Sequence, residues 1–581
     1  MIFMAQYLDN FRLENINGIE YYGADDAKGN FQKGGLAVWL DKHVHVFDSD
    51  RFYSELRYLV NANTKQEKTC RFDSVVFAKQ KWAYFQQKGV SVTFRTQQIF
   101  EGYIEHLRST INHIDYAHDW VGWDTTKNCH NLSKKPKEIY KHSTAKLGTG
   151  ITSSYTGMLD IQPKGSWKEW KAGVEEHVMG YRPLESAIIM GLSAVVVGYL
   201  GNKKLPPNLI FHIPGRTSTG KSTAAMLAAS TSGSPHLNAV SGHYTLFNTW
   251  NSTSNGLYAL LRGNRGIVMC FDELGTSDEN HLEQTVYKLY AGNEKIRLHQ
   301  SSQLPEEMEA YWNTTLITTG EELYEERMSK KPDGASMRYF QFSDLKVTKK
   351  DGEVKHVRWT KSAKNARAIQ KFTKENYGHA APLLAKYITQ HASEIDGLYE
   401  KLRRYYLKQK GKNDTLSERR ADFMGMVLLT AHHARKALDI PFNYKKICDF
   451  FILNEDDFQA EHLHAYKYLC ELVSSQRNHF WDKDNKDAND SVKELWGTVQ
   501  SKHLRTKDTR NGKPVVREIA ILSTMFEKLL EKQNFSSDRV INGLREDGLL
   551  SCEPGKHRTR TRVDPRHPGV NLEYYVINVY E

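Results

Sequence analysis

The chain has 581 residues, with 80 Lys and Arg against 69 Asp and Glu, a formal net charge of +11 and a pI near 9.0. That length exceeds what one hydrophobic core organises and points to about three or four domains, while the basic balance suits a polyanionic partner without identifying it. The six cysteines, Cys70, Cys129, Cys270, Cys448, Cys470 and Cys552, form no C-x-x-C pair, so neither a zinc site nor a disulfide framework is indicated, and a reducing cytoplasm fits.

Residues 1–115 alternate strand-like runs, Leu36 to Leu40 and Val90 to Phe94, with a helical stretch from Gln98 to Ile111, which predicts an N-terminal α+β accessory domain. After the strand His43 to Phe47, Asp48-Ser49-Asp50 reads either as a polar turn or as paired carboxylates able to hold two metals. Met1 to Asn10 has no basic residue ahead of its apolar start, so no signal peptide is expected. The apolar run Leu184 to Leu200 is barely long enough to span a bilayer, carries Glu185 near its start and is followed by Lys203 and Lys204. It reads as a buried helix against the next domain, with no membrane partner.

Gly215-Arg216-Thr217-Ser218-Thr219-Gly220-Lys221-Ser222 fits the phosphate-binding pattern G-x-x-x-x-G-K-[ST]. The apolar strand Leu209 to Ile213 precedes it and a helix from Thr223 to Ser230 follows, the context the pattern requires. Glycines let backbone N–H groups turn toward phosphates, and the helix N-terminus adds a favourable dipole. Gly215, Thr217, Ser218, Thr219, Gly220, Lys221, Ser222 and Thr223 are therefore the candidate ATP contacts. Lys221 can reach β and γ oxygens, and Ser222 can offer its hydroxyl to Mg²⁺.

The strand Gly266 to Phe271 ends in Asp272-Glu273, a Walker B-like pair in which Asp272 serves the metal and Glu273 polarises the attacking water. A third apolar strand, Thr314 to Thr319, ends at Gly320-Glu321, and Asn313, Thr318 or Thr319 could contact the γ-phosphate or that water. Between about 345 and 475 the chain turns strongly helical, with Arg419 and Arg420 opening one helix, and from Trp481 to Ser491 a polar run reads as an exposed linker. After it, helices at Met525 to Leu530 and from Ser536 to about Gly548, basic alternation at Lys556, Arg558, Arg560 and Arg562, and a last strand at Tyr574 to Ile577 predict a winged helix. Arg539, Asn542 or Arg545 would face a major groove and the basic wing phosphate.

Thr249-Trp250-Asn251-Ser252-Thr253, Phe271-Asp272-Glu273-Leu274-Gly275, Gly292-Asn293-Glu294-Lys295 and Asn376-Tyr377-Gly378-His379-Ala380 carry a wider resemblance. Over roughly residues 115 to 440, from Val121-Gly122-Trp123 on, the chain resembles the MCM-like AAA+ replication helicases of staphylococcal mobile elements, the Cch and Rep type of cassette chromosomes and pathogenicity islands. The resemblance implies a homo-hexameric, ATP-driven DNA helicase with single-stranded DNA in its channel. It also implies a sensor 1 strand at Thr314 to Thr319, a sensor 2 arginine at Arg419 or Arg420, and a channel hairpin that makes Lys295 and Arg297 candidate DNA contacts. Ser336-Met337-Arg338-Tyr339-Phe340 is similar to the MCM finger segment with Met337 inserted, which makes Arg338 the candidate arginine finger, or else an ordinary surface arginine beside a strand.

The expected architecture is thus a multidomain α/β chain with an N-terminal α+β domain (1–115), an AAA+ P-loop ATPase core with a preceding helical segment (116–345), a helical lid (346–480), a linker (481–515) and a C-terminal winged helix (516–581). The catalytic set is Lys221, Asp272, Glu273 and Arg338. ATP (with Asn313 among its contacts) and Mg²⁺ (on Ser222 and Asp272) are the cofactors. DNA would meet Lys295, Arg297, Arg539, Arg545, Arg558 and Arg560. The alternatives are an AAA+ initiator or loader that remodels DNA without unwinding it, and a nucleotide-gated DNA-binding regulator.

Overall fold

The computed structural model describes residues 9–49, 51–73, 82–111, 113–124, 139–146, 151–201, 203–204, 206–237, 243–251, 253–276, 282–293, 311–327, 337–349, 351–411, 415–455, 461–485, 489, 492–501, 509–510, 513–533, 535, 537–551 and 559–580. The chain opens with a three-stranded sheet, Asp9–Ile16, Ile19–Asp25 and Phe31–Leu36, beside a mixed six-stranded sheet. The latter runs in the order Thr144–Lys146, Thr152–Tyr155, Asp115–His118, Val38–Val46, Arg51–Asn61 and Gln66–Asp73. Period-two alternation buries Ser54, Leu56 and Tyr58 of one strand, and Leu56 and Tyr58 pack with Phe85, Phe100, Tyr103 and Ile104 from the helices Trp82–Lys88 and Gln97–Thr110. The run Val90 to Phe94 is not a strand. Gly89 at φ +93° ends the preceding helix, Val90 and Val92 are buried within an irregular turn, and Phe94 stays 74% exposed.

The sheet continues past residue 115, because three of its strands come from residues 115–155. Asp48 lies in this join. Its carboxylate accepts the N–H groups of Asp119 (3.0 Å) and Trp120 (2.9 Å) and pairs with the buried Lys141, which also meets Asp124 at 3.2 Å. That makes Asp48 a structural carboxylate; Asp50, its expected metal partner, lies outside the described residues.

Val121–Asp124 pairs with Ile139–Lys141 and, in parallel, with Asn264–Arg265 of the following domain. Gly122 sits at φ +84°, and a Cβ there would lie 1.9 Å from the Arg265 carbonyl, so the two segments meet only because this residue has no side chain. Trp123 is buried and donates its indole N–H to Val195 O at 2.7 Å. Val195 belongs to the helix Arg182–Leu200, the one helix among the described residues long and apolar enough to cross a membrane, yet wholly buried against Lys221–Ala229 and Thr415–Ala437.

At the centre is a five-stranded parallel sheet in the order Phe247–Thr249, Met269–Asp272, Thr315–Thr319, Leu209–Ile213 and Phe340–Gln341. Its three middle strands are buried at every position, as expected of a parallel sheet covered on both faces. Five helices, Ala363–Glu375, Ala380–Gln390, Ala392–Lys410, Thr415–Ala437 and Tyr444–Asn454, share its hydrophobic cluster.

The helix Glu461–Ser475, expected in the lid, instead contributes Ala465, Leu469 and Val473 to a separate C-terminal core. Nor is 481–515 simply an exposed linker. Phe480–Asp482 and Gly497–Ser501 are strands of the C-terminal sheet, which continues through Lys513–Leu522, Asn571–Tyr580 and Arg560–Val563. Its polar residues satisfy one another: the Asn489 side chain exchanges hydrogen bonds with the Asp482 backbone, and the Asp482 carboxylate accepts N–H groups of Asp484 and Asn485. Against this sheet lie the helices Ser523–Lys532 and Ser537–Glu546.

Candidate nucleotide site

The strand Leu209–Ile213 delivers the chain to a loop in which Gly215 (φ +136°), Ser218 (φ +64°) and Gly220 (φ +89°) adopt left-handed conformations, before the helix Lys221–Ala229 begins. Positive φ at three positions within six residues wraps the loop around a space at the helix N-terminus. Lys221 turns back over this loop, its ammonium donating to the carbonyls of Gly215 (2.5 Å) and Arg216 (2.9 Å). Partial burial pulls its pKa below the ordinary lysine range, against the opposing pull of Glu321, Asp272 and Glu273.

The end of the strand Met269–Asp272 supplies the acids. The Asp272 carboxylate accepts the Ser222 hydroxyl at 3.0 Å and the Thr319 hydroxyl as well. Glu273 follows at φ +58°, its N–H donating to Thr319 Oγ1 at 3.2 Å, so its carboxylate leaves the strand on a different course from that of Asp272. These groups line a cavity of about 800 Å³ with Thr217 to Thr223, Gly320 and Glu321. Ser222 and Asp272 form an oxygen-only donor pair, too few for an all-protein cage and suited to Mg²⁺ that keeps waters and phosphate oxygens as ligands. Among the described residues no cluster of three or more His, Cys, Asp or Glu could hold a metal by itself.

Of the three sensor candidates, only Thr319 reaches the cavity. Thr318 is buried on the other face of its strand, bonded to His212 (2.9 Å) and Tyr324 (2.7 Å). Asn313, expected among the ATP contacts, lies before the start of the same strand with its amide on Pro207 O, away from the cavity lining. Strand ends determine this: the cavity forms where the strands finish, whereas Asn313 precedes one. Arg419 is exposed and Arg420 is buried against Tyr339 O (3.0 Å) and Glu455, and neither lines the cavity. Arg338 also lies outside it, its guanidinium over the Tyr287 ring at 4.0 Å.

The far wall comes from a segment that sequence reasoning passed over. Trp359 N–H donates to Thr219 O at 2.9 Å, Thr360 packs over Gly220, and Arg358, Lys361 and Arg367 project into the lining beside the N-terminus of the helix Ala363–Glu375. Ser362 caps that helix by accepting Asn365 N–H at 3.1 Å. None of the three cations pairs with a carboxylate among the described residues, whereas Arg403 and Arg420 do. The Ser362 cap behind two basic residues was legible in sequence; its placement across the loop was not.

Of the expected DNA contacts, Lys295, Arg297 and Arg558 lie outside the described residues, as does the Arg539 side chain. Arg545 is exposed on the helix Ser537–Glu546, and Arg560 is half-buried with its Nε on Ser551 O at 3.2 Å.

The family model described as "Domain of unknown function (DUF927)" matches residues 11–306, half of the chain. The chain belongs to this family. A second model, "Cch helix turn helix domain", matches residues 444–581. Among solved structures, "SCCmec type IV Cch - active helicase" shares 21% identity at a TM-score of 0.71, over 96% of this chain and 96% of that one. The DUF927 member thus has the Cch fold from end to end and carries a Cch helix-turn-helix domain, in line with the resemblance seen in sequence. No curated protein matches it.

Proposed function

We propose that the protein is an ATP-dependent, ring-forming DNA helicase that serves replication of a mobile genetic element in the cytoplasm. The observation that carries this reading is the junction of Ser222, at the start of its helix, with Asp272 and Thr319, which end adjacent parallel strands beside Glu273, within a fold shared with an active helicase. The P-loop strand Leu209–Ile213, flanked by Thr315–Thr319 and Phe340–Gln341, the fourth and fifth strands of that sheet in chain order, supports an AAA+ core. Lys221 would exchange the Gly215 and Arg216 carbonyls for phosphate oxygens, and Arg358 and Arg367 would face the same phosphates from the helical side. Mg²⁺ on Ser222 and Asp272 would neutralise charge on the β and γ oxygens. Glu273 would orient and polarise the attacking water.

Arg338, absent from its own cavity, would act on a neighbour's nucleotide in a homo-hexamer, stabilising transition-state charge in trans. Lys295 and Arg297 would hold single-stranded DNA in the channel, and a winged helix presenting Arg539, Arg545, Arg558 and Arg560 would hold duplex. The test is strand displacement on a forked DNA with ATP and Mg²⁺ beside Glu273→Gln. Unwinding by the wild type and its loss in the variant support the motor. DNA binding with ATP turnover and no unwinding moves the reading to an initiator or loader, and turnover indifferent to DNA moves it to a nucleotide-gated regulator.

A further inference from the structure

We infer that Tyr287 and Tyr290 form an aromatic shelf that positions Arg338 for work on the neighbouring subunit. The inference rests on the trans role assigned to Arg338 above. The Arg338 guanidinium lies 4.0 Å from the Tyr287 ring centroid and 5.5 Å from that of Tyr290, within the range of cation–π attraction. Both rings are half-buried on the helix Leu282–Ala291, one turn apart, so they present a single continuous face. Burial raises the Tyr290 hydroxyl pKa, and Arg338 pulls against that rise.

The shelf is stiff. Val286 and Leu289 of the same helix are fully buried. Its last turn is anchored to the segments flanking two central strands: Asn208 donates to Tyr290 O at 3.0 Å and the Trp312 indole to Leu289 O at 3.2 Å. The backbone beside Arg338 is gripped from the other side, where buried Arg420 donates to Tyr339 O and is itself held by Glu455, whose carboxylate also takes Tyr406 OH at 2.6 Å and Lys410 at 2.8 Å. A long side chain with many rotamers is thereby reduced to few before any neighbour arrives.

The test is steady-state, DNA-stimulated ATP hydrolysis by the full chain. Tyr287→Leu should lower kcat about tenfold with KM nearly unchanged, Tyr287→Phe should keep most of the rate, and Tyr287→Leu should add no loss to Arg338→Ala. Phenylalanines of increasing fluorination at position 287, equal in shape and poorer in ring charge, should lower kcat stepwise, a trend that does not depend on the leucine variant folding. Wild-type kcat in Tyr287→Leu while Arg338→Ala is impaired would overturn the shelf and leave the finger standing. Additive losses, or a rate indifferent to fluorination, would also overturn it. Full kcat in Arg338→Ala would remove the finger and the shelf together.

Discussion

Gly220→Ala tests whether the loop and the segment across it are fitted to each other as described. Gly220 sits at φ +89° and ψ 14°, where an L side chain costs about 1–2 kcal/mol. The new Cβ would lie 2.6 Å from Thr360 Oγ1, 2.7 Å from its Cγ2 and 3.0 Å from its backbone nitrogen. Retreat of that backbone is opposed by the Trp359 N–H bond to Thr219 O at 2.9 Å, so overpacking adds about 1–3 kcal/mol. The loop can escape the strain by opening, so the loss should fall on the nucleotide-competent conformation more than on global stability. About 3 kcal/mol then reduces apparent ATP affinity on the order of a hundredfold while the melting temperature hardly moves. Titration calorimetry with ATP and Mg²⁺ measures this directly. Thr360→Ala in the same chain removes Oγ1 and Cγ2 but not the φ strain, and should recover about tenfold. Wild-type affinity in Gly220→Ala, or no recovery with Thr360→Ala, would refute the geometry.

Arg367→Gln should weaken ATP binding about tenfold and ADP binding less, if the guanidinium faces the terminal phosphate, as nucleotide titrations would register. Lys141→Met leaves Asp48 and Asp124 buried without their cation and should lower stability by about 3–5 kcal/mol in denaturant unfolding, far more than loss of an exposed ion pair. His118 and His142 are both pushed down to about 4, chiefly by burial. The unfolded chain, with ordinary histidines near 6.5, takes up protons first, so stability should be full above that pH and fall as pH drops toward 4. His142→Gln should flatten that part of the pH profile of the unfolding midpoint.

The chemistry of the loop and the acidic pair was legible because both are local: a glycine pattern before a helix and carboxylates after an apolar run fix their own geometry. Their fit to each other, through Ser222, Asp272 and Thr319, depends on which strands are neighbours, and sequence left Thr319 level with Thr318 and Asn313. One residue of slip along a strand separates Thr319 in the cavity from Thr318 on the opposite face. The wall of Arg358, Lys361 and Arg367 escaped notice because nothing local announces that a capped helix returns across a loop some 140 residues earlier in the chain. The apparent linker after Phe480 misled for a different reason. Asp482 and Asn489 look solvated in sequence, and only the fold shows them answering each other's hydrogen-bonding groups.

The strand Val121–Asp124 bears on how this protein can be divided. With Gly122 pressed against the Arg265 carbonyl and Trp123 hooked to Val195, the front sheets are sewn into the wall of the central domain a few residues ahead of its acidic strand. A cut at 115 would part Val38–Val46 from Asp115–His118 and leave His45 and Val46 without Tyr116 and Ala117 beside them. The family match, running unbroken from 11 to 306, traces the same seam. The front sheets and the central sheet are therefore joined through paired strands rather than through a hinge, and a load on the front sheets is borne a few residues from the strand that ends in Asp272.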